Sequence, residues 1–502
     1  MSEPQTISAR VQVGYDPIYA ETDRRVQFEE QLGYFYYPLL KTHMGWAIML
    51  AEKGIIPKRS AAELCKALTS LQGEKPDILR PFIPKHSDVY VHTEKLLVKM
   101  IGEEHVGHLA LARTRPEPIP RMVLRERLLN AIDMSLTMRR QMLDTAERNL
   151  DAVMPGYTHS QPAQPTTFAH YLMGGYDPIA EDGRFLVDAY DNVNRSTMGC
   201  GALAGTGFKI DRYRFAELLG FDGIIENTYQ SVSSNDYHVV SANATENSMV
   251  TISRMAQDLN EWCAYEVRML LTAPQFSDYS SMMPQKYNPG SLENIRYHSA
   301  YGVAMAHNVS SILMKSHYAD VREYDRCWVP VFQAVDNAAA TMRLFGAVIE
   351  TMIVYKERML ELARRDFSSC SELADEIYRR TGMHYRISHA IVANVVNEAM
   401  EKHITALDVT PEMVDRAAVK VTGNPLGWSQ EEILQCLDPV HFVNNHDLVG
   451  GPAPSEVARM IADRRAKLAA EVEAQEARKA RLAEGDRKLE SAAADMIAAG
   501  AA

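Results

Sequence analysis

Polar side chains are crowded into one short stretch of the chain, SSMMPQKYNPGSLE at residues 280–293. It contains two adjacent serines, a lysine, an asparagine and a glutamate, while its two prolines and its glycine favour a loop over a helix. A β-elimination requires a base that removes a weakly acidic C–H proton and groups that stabilise the dianionic carboxylate that forms. The stretch offers residue types for both tasks.

A second stretch, GYTHSQPAQP at residues 156–165, places His159 between hydroxyl and amide side chains in a proline-rich turn. Such neighbours can fix the tautomer of the imidazole ring. His159 is therefore a candidate for the acid that protonates the leaving atom. A single histidine in a turn is, however, more often a surface or structural residue.

The elements that must position these stretches are predicted to be helices. Apolar residues recur three and four positions apart, and strand-like alternation is scarce. Met122–Val153 and Tyr237–Leu271 are long enough to be rods of a bundle. The sequence thus predicts an all-α fold. Proline and glycine clusters predict loops at residues 80–85, 115–120, 154–165, 279–290 and 448–454.

The overall composition is that of an ordinary globular protein. A chain of 502 residues is too long for one core, and typical domain sizes suggest roughly three domains. The net charge of −12 gives no electrostatic footprint for nucleic acid or anionic lipid, so neither partner is expected. From about residue 456 onward, Ala, Glu, Lys and Arg dominate, which predicts either a solvated helix or a mobile charged tail.

The six cysteines are scattered, without the spacing of a metal site, and indicate a reduced compartment. The chain starts without a leader-like segment, and no run of about 18 apolar residues occurs, so we expect a cytoplasmic protein. A glycine-rich phosphate loop after a strand, a metal-ligand cluster and a Schiff-base lysine setting are not recognisable in the sequence. We therefore expect no cofactor and no metal.

The two polar stretches resemble the motifs of a known family. Residues 280–289 are similar to S-S-x-M-P-x-K-x-N-P of the fumarase, aspartase and argininosuccinate lyase superfamily. Residues 154–165 are similar to M-P-G-Y-T-H-x-Q-x-A-Q-P of its argininosuccinate lyase branch. The resemblance extends over nearly the whole chain, with further matches in DVYVHTE at 88–94, GALAGTGFKIDR at 201–212, SELADEIYRRTGMHYRISH at 371–389 and GGPAPSEV at 450–457.

This resemblance implies three domains around a central five-helix bundle, and a homotetramer whose 20-helix core builds each active site from three subunits. We expect an N-terminal helical domain at 1–114, a central long-helix bundle at 115–366 with the signature loop at 277–290, a small C-terminal helical domain at 367–465 and a charged helical tail at 466–502. The implied reaction is reversible β-elimination of an N-substituted aspartate to fumarate and an amine.

The resemblance also implies roles for individual residues. Ser280 matches the serine that abstracts the C3 proton, and backbone N–H groups and Lys286 would activate it. Lys286 would also stabilise the carboxylate that becomes dianionic. His159 would assist the leaving nitrogen or orient the substrate, and Glu293 matches the acid that pairs with this histidine. The expected substrate-binding residues are Thr158, Asn288, Arg113, Thr114, Arg115, Tyr318, Glu323, Arg326, Asp88, Ser281 and Met283.

The chain departs from the family pattern mainly at positions expected to bind substrate. Pro116 replaces the asparagine of G-R-S-R-N-D, which removes an amide and a backbone N–H. In the stretch matching Y-N-K-D-L-Q-E-D-K, Glu323 replaces glutamine and Arg326 replaces lysine. Tyr90 stands for the histidine of D-[IV]-H, and Tyr279 for the glycine before the serine pair. We interpret this pattern as retained chemistry with an altered substrate; the alternative is drift within a true argininosuccinate lyase.

Several functions remain open at this level. Argininosuccinate and aminopolycarboxylate adducts such as ethylenediamine disuccinate are candidate substrates of a carbon–nitrogen lyase. Elimination from a C–S or C–O succinyl adduct would use the same serine and carboxylate-binding groups. A crystallin-like structural protein without activity is the alternative from outside enzymology. A carbon–nitrogen lyase of this kind implies two small-molecule partners, a succinyl substrate and fumarate.

Overall fold

The computed structural model describes residues 14–86, 88–115 and 118–501. Pro116 lies outside the described residues. This is the proline that the sequence predicts to alter substrate binding. The prediction of an all-α fold is confirmed, because helices account for most of the described chain. None of the helices in these three ranges is both long enough and apolar enough to cross a membrane.

The helices fall into three consecutive groups along the chain. The first group comprises α1 Pro17–Tyr19, α2 Arg25–Glu52, α3 Lys58–Gln72, α4 Val89–Ile101 and α5 Glu103–Val106. The second comprises α6 Ile119–Glu147, α7 Phe168–Val193, α8 Arg212–Leu218, α9 Thr228–Ser233, α10 Asp236–Cys263, α11 Gly290–Leu313, α12 Arg322–Thr351 and α13 Lys356–Arg365. The third comprises α14 Cys370–Thr381, α15 Tyr385–Glu401, α16 Pro411–Thr422, α17 Gln430–Leu437, α18 Pro439–Asn445 and α19 Pro454–Ala501.

Short strands form four two-stranded pairs in the described chain. The largest is an antiparallel hairpin of β1 Val153–Thr158 and β2 Gln161–Thr167. The remaining pairs have two residues per strand: β3 Arg195–Ser196 with β4 Gly223–Ile224 in parallel, β5 Leu270–Leu271 with β8 Ile353–Val354 antiparallel, and β6 Asp278–Tyr279 with β7 Tyr287–Asn288 antiparallel.

The central bundle consists of the long helices α6, α7, α10, α11 and α12, which pack along one another. Their inward faces carry apolar side chains at helical spacing, for example Ile252, Met255 and Leu259 on α10. The predicted rods are therefore present, although α6 and α10 end earlier than expected, at Glu147 and Cys263. A separate small core lies under α14–α17 and includes Leu373, Ile391 and Ile433.

The C-terminal stretch corrects one predicted boundary. The division at residues 465 and 466 falls inside α19, which is a single helix of 48 residues. Leu468, Leu489 and Met496 of α19 are buried in the main core, so this stretch is not a mobile tail. Its apolar residues are widely spaced among alanines and charges, which is why the sequence pattern indicates a solvated segment. The other domain boundaries stay predictions.

Candidate active site

The signature loop lies between α10 and α11, and its ends are closed by the pairing of β6 with β7. Ser280 is half-buried at the start of the loop. Its Oγ accepts hydrogen bonds from the backbone N–H groups of Met283, at an N–O distance of 3.0 Å, and Met282, at 3.4 Å. Two N–H donors aimed at one hydroxyl oxygen favour negative charge on that oxygen, which is what a serine needs to act as a base.

The rest of the loop is open to solvent. Ser281, Met283 and Lys286 are exposed, whereas Asn288 in β7 is half-buried. The Tyr287 hydroxyl donates to the Thr272 carbonyl at 2.9 Å and so fixes β7 against the end of the bundle. The exposed side chains leave room for a ligand or a second chain to cover the loop.

The loop leads directly into α11. Glu293 lies in the first turn of this helix. Gly290 begins the helix where a Cβ atom would come within 1.8 Å of an oxygen of Asp278. The Asp278 carboxylate therefore packs directly against the start of α11, and a side chain at position 290 would require this carboxylate to move. Because Asp278 precedes Tyr279 and Ser280, this contact fixes the loop's entry against the helix that carries Glu293.

Thr158 and His159 lie at the tip of the β1–β2 hairpin and are exposed. The two residues between the strands, His159 and Ser160, have φ angles of 54° and 59°. Such a two-residue turn with positive φ joins antiparallel strands tightly and directs its side chains outward. The sequence predicts a loop here, because prolines argue against paired strands. The two strands nevertheless pair through the backbone groups of their other residues.

A third group of predicted residues lines a cavity of about 400 Å³ between α2, α4 and the start of α12. Asp88, Thr114 and Arg115 belong to its wall. Asp88 begins α4 by accepting a hydrogen bond from the Val91 N–H at 3.0 Å, and its other oxygen accepts from Arg115 at 2.9 Å. These three predicted residues thus lie together in the wall of one cavity.

The remaining predicted residues are placed differently. Glu323 and Arg326 are both described by the structure, and neither belongs to the wall of this cavity. Arg326 instead pairs with Asp23 and, at 3.6 Å, with Glu30. Tyr318 is 59% exposed and its ring stacks on that of Tyr229 with centroids 6.1 Å apart.

Another face of α12 lines the cavity instead. Arg322, Asp325 and Trp328 follow one another at three-residue spacing on this face, and Asp320 precedes them. Burial raises the pKa of Asp325 above its ordinary value, while the nearby Arg322 opposes the shift. Comparison with the family motifs does not single out these residues. Their three-residue spacing from Arg322 is the feature of the sequence that indicates a shared helix face.

One chain does not bring all the predicted groups together. The signature loop precedes α11, and the cavity lies beyond its other end, at the start of α12. The 24 residues of α11 span about 36 Å at 1.5 Å per residue. The His159 hairpin lies at the loop's end of the bundle, because Tyr157 packs against Trp262 near the end of α10 with centroids 6.3 Å apart. A substrate held in the cavity therefore lies far from Ser280 of the same chain.

Comparison with known proteins gives consistent matches. Residues 10–301 match a family model described as lyase, and residues 367–444 match one described as argininosuccinate lyase C-terminal. The argininosuccinate lyase of Methanosphaera stadtmanae is 32% identical over 87% of this chain and 95% of its own length. That of Methanocaldococcus jannaschii is 34% identical over 82% and 84%.

Solved structures give the same picture. An EDDS lyase variant with bound fumarate superposes with a TM-score of 0.86 at 27% identity, covering 99% of both chains. EDDS lyase in complex with formate gives 0.85 at 26%, with the same coverage. A class II fumarase from Schistosoma mansoni, at 12% identity, a TM-score of 0.67 and coverage of 85% of this chain and 97% of its own, shares the fold.

Proposed function

Because this chain belongs to the fumarase/aspartase superfamily, in its argininosuccinate-lyase-like branch, we propose that it cleaves an N-substituted aspartate into fumarate and an amine. The observation that carries the proposal is the Ser280 oxygen held by two backbone N–H groups in the loop that also presents Lys286 and Asn288. The names of the relatives, argininosuccinate lyases and EDDS lyase, support a bond between nitrogen and a succinyl carbon.

The reaction proceeds by β-elimination. Ser280, as an oxyanion, removes the proton from C3, and the charge that develops on the adjacent carboxylate is stabilised by Lys286 and Asn288. The electron pair of the broken C–H bond then forms the double bond of fumarate as the C–N bond breaks. His159, with Glu293 as its partner, delivers a proton to the departing nitrogen.

The complete site is built from several copies of the chain. Since α11 holds the signature loop and the cavity about 36 Å apart, we propose that a homotetramer supplies these two parts from different subunits. The family resemblance extends this proposal to the His159 hairpin, which would come from a third subunit. Exposure of Ser281, Lys286 and His159 in the single chain supports this assembly.

The leaving amine bears charged groups of its own. The cavity wall combines the carboxylates of Asp320 and Asp325 with the guanidinium of Arg322. Such a wall favours a zwitterionic or polycarboxylate amine over an apolar one, because an apolar group would displace water from these charged side chains without pairing with them. Argininosuccinate and aminopolycarboxylate succinyl adducts both meet this requirement.

The test is release of fumarate, followed by its absorbance, from a panel of argininosuccinate, ethylenediamine disuccinate, simple N-succinyl amines, malate and S-succinocysteine. We expect release from at least one charged N-succinyl adduct by the parent protein and none above background by Ser280→Ala. Preference for argininosuccinate would indicate drift within a true argininosuccinate lyase. Release from none of the nitrogen adducts would refute the proposal.

A further inference from the structure

His43 lies in α2 and is 0% exposed, yet it has no task in the reaction described above. Its ring packs edge-on against Tyr90 with centroids 5.1 Å apart. Its Nδ1 lies 3.0 Å from Nη1 of Arg113, the first arginine of the turn that leads to the cavity. A buried polar side chain therefore connects α2 to a turn that carries substrate-binding residues.

The direction of this hydrogen bond follows from the charges. An arginine side chain stays protonated and offers only donors, so Arg113 donates and Nδ1 of His43 accepts. The ring proton must then sit on Nε2. Burial, together with the charge of Arg113, lowers the pKa of His43 well below its ordinary value. His43 is thus a neutral and fixed acceptor.

Arg113 extends the connection to the backbone of its own turn. Its Nε and Nη2 donate to the carbonyl oxygens of Thr114 and Arg115, each at 3.4 Å. Its guanidinium lies 5.2 Å from the ring centroid of Tyr90. The charged group is directed at the protein itself, which differs from the substrate contact predicted for Arg113.

The turn needs such support. Ala112, directly before Arg113, has a φ angle of 59°. The left-handed conformation is sterically unfavourable for a residue other than glycine, so surrounding contacts must maintain it. With the turn in this conformation, Thr114 and Arg115 line the cavity.

We propose that His43 is a positioning residue, which anchors Arg113 so that the turn at residues 112–115 presents Thr114 and Arg115 to the substrate. This inference rests on the proposed function, since it assigns the cavity to substrate. Arg113 likewise acts through the turn and not through the ligand. Loss of the anchor weakens binding while leaving Ser280 and the chemical step intact.

The experiment compares two substitutions of His43 in the full-length protein, using the substrate that the parent turns over fastest and fumarate as a calorimetric probe. In His43→Leu, which removes the acceptor, we expect KM and the Kd of fumarate to rise on the order of tenfold. The kcat should change by less than about threefold, as expected when binding common to ground state and transition state is lost.

The second substitution, His43→Asn, places an amide oxygen near the position of Nδ1 and should restore KM to within about threefold of the parent. Arg113→Leu should reproduce the effect of His43→Leu, and the double variant should be no worse than either single variant, because both remove one connection. Arg113→Leu also carries the test if His43→Leu does not fold.

Two results would overturn the inference. One is a folded His43→Leu protein with unchanged KM and unchanged fumarate Kd; the other is full additivity of the His43 and Arg113 substitutions. A role in stability alone predicts a lower Tm for both His43 variants without a change in KM. A parent protein that releases no fumarate from the panel would refute the proposed function instead, so the two failures are distinguishable.

Discussion

Gln27 of α2 donates a hydrogen bond to Asp325 of α12, with a distance of 3.1 Å from Nε2 to Oδ2. The same carboxylate oxygen accepts from Arg322 at 3.0 Å, and the Gln27 oxygen accepts from Arg24 at 2.6 Å. These hydrogen bonds lie in the cavity wall and join the N-terminal helices to the central bundle. The shape of the cavity therefore depends on the protonation and bonding of Asp325.

Asp325→Asn should change how stability depends on pH. Because burial raises the pKa of Asp325 in the folded state, its protonated form stabilises the fold below the ordinary aspartate pKa. That contribution is lost as pH rises through the raised folded-state pKa. An asparagine cannot ionise, so the Tm of the variant relative to the parent should increase as the pH rises from below the ordinary aspartate pKa to above the raised one.

Calorimetry at several pH values checks this expectation. Asp188→Asn, at an exposed position of α7, is the control and should keep a constant Tm difference from its parent. A Tm difference between Asp325→Asn and parent that stays flat or falls with pH would contradict the argument.

Ser280→Ala should abolish the base without removing the binding site. We expect kcat to fall by about a thousandfold, within the range for loss of a positioned proton acceptor, while the Kd of fumarate changes little. Ser281→Ala is the matched comparison, because the two N–H donors converge on Ser280 and its neighbour is exposed. As an expected substrate-binding residue, Ser281 should affect KM more than kcat. Equal losses of kcat in the two variants would remove Ser280 from the role of base.

Mixing two inactive variants tests the shared site. Ser280→Ala and His159→Asn each lack one group that the proposal draws from different subunits. If the proteins are unfolded together in equal amounts and refolded as mixed oligomers, about a quarter of the sites should contain both intact groups. Fumarate release should therefore recover to roughly that fraction of the parent rate. Recovery no greater than either variant refolded alone would show that both groups come from one chain.

The sequence predicts the helices well because apolar periodicity over long segments reports directly on burial, as in α6 and α10. It is less informative where the position of a side chain around a helix decides its role. Glu323 and Arg326 match family positions in the linear alignment, yet Arg322 and Asp325 are the residues of α12 that line the cavity. The hidden hairpin of β1 and β2 has a similar cause, because its pairing depends on backbone groups that prolines obscure.

The contact of α19 with the body of the protein leads to a prediction about stability. Gly485 of α19 packs so closely on Gly220 that a Cβ atom at position 485 would lie 2.4 Å from the Gly220 Cα and 2.6 Å from its nitrogen. Because both atoms belong to the backbone, a side chain cannot simply rotate away. Gly485→Ala should therefore lift α19 locally and cost on the order of 1–3 kcal/mol of unfolding free energy, despite the better helix propensity of alanine.

Gly174→Ala provides the matched control. Gly174 also lies within a long helix, α7, but a Cβ atom there would have nothing within 4 Å. Alanine should then be neutral or stabilise the protein by about 0.5–1 kcal/mol through its helix propensity. Denaturant unfolding of the two variants beside the parent separates the effects. If Gly485→Ala is as stable as Gly174→Ala, α19 is held loosely enough to move away from Gly220, and its burial contributes less than the close packing indicates.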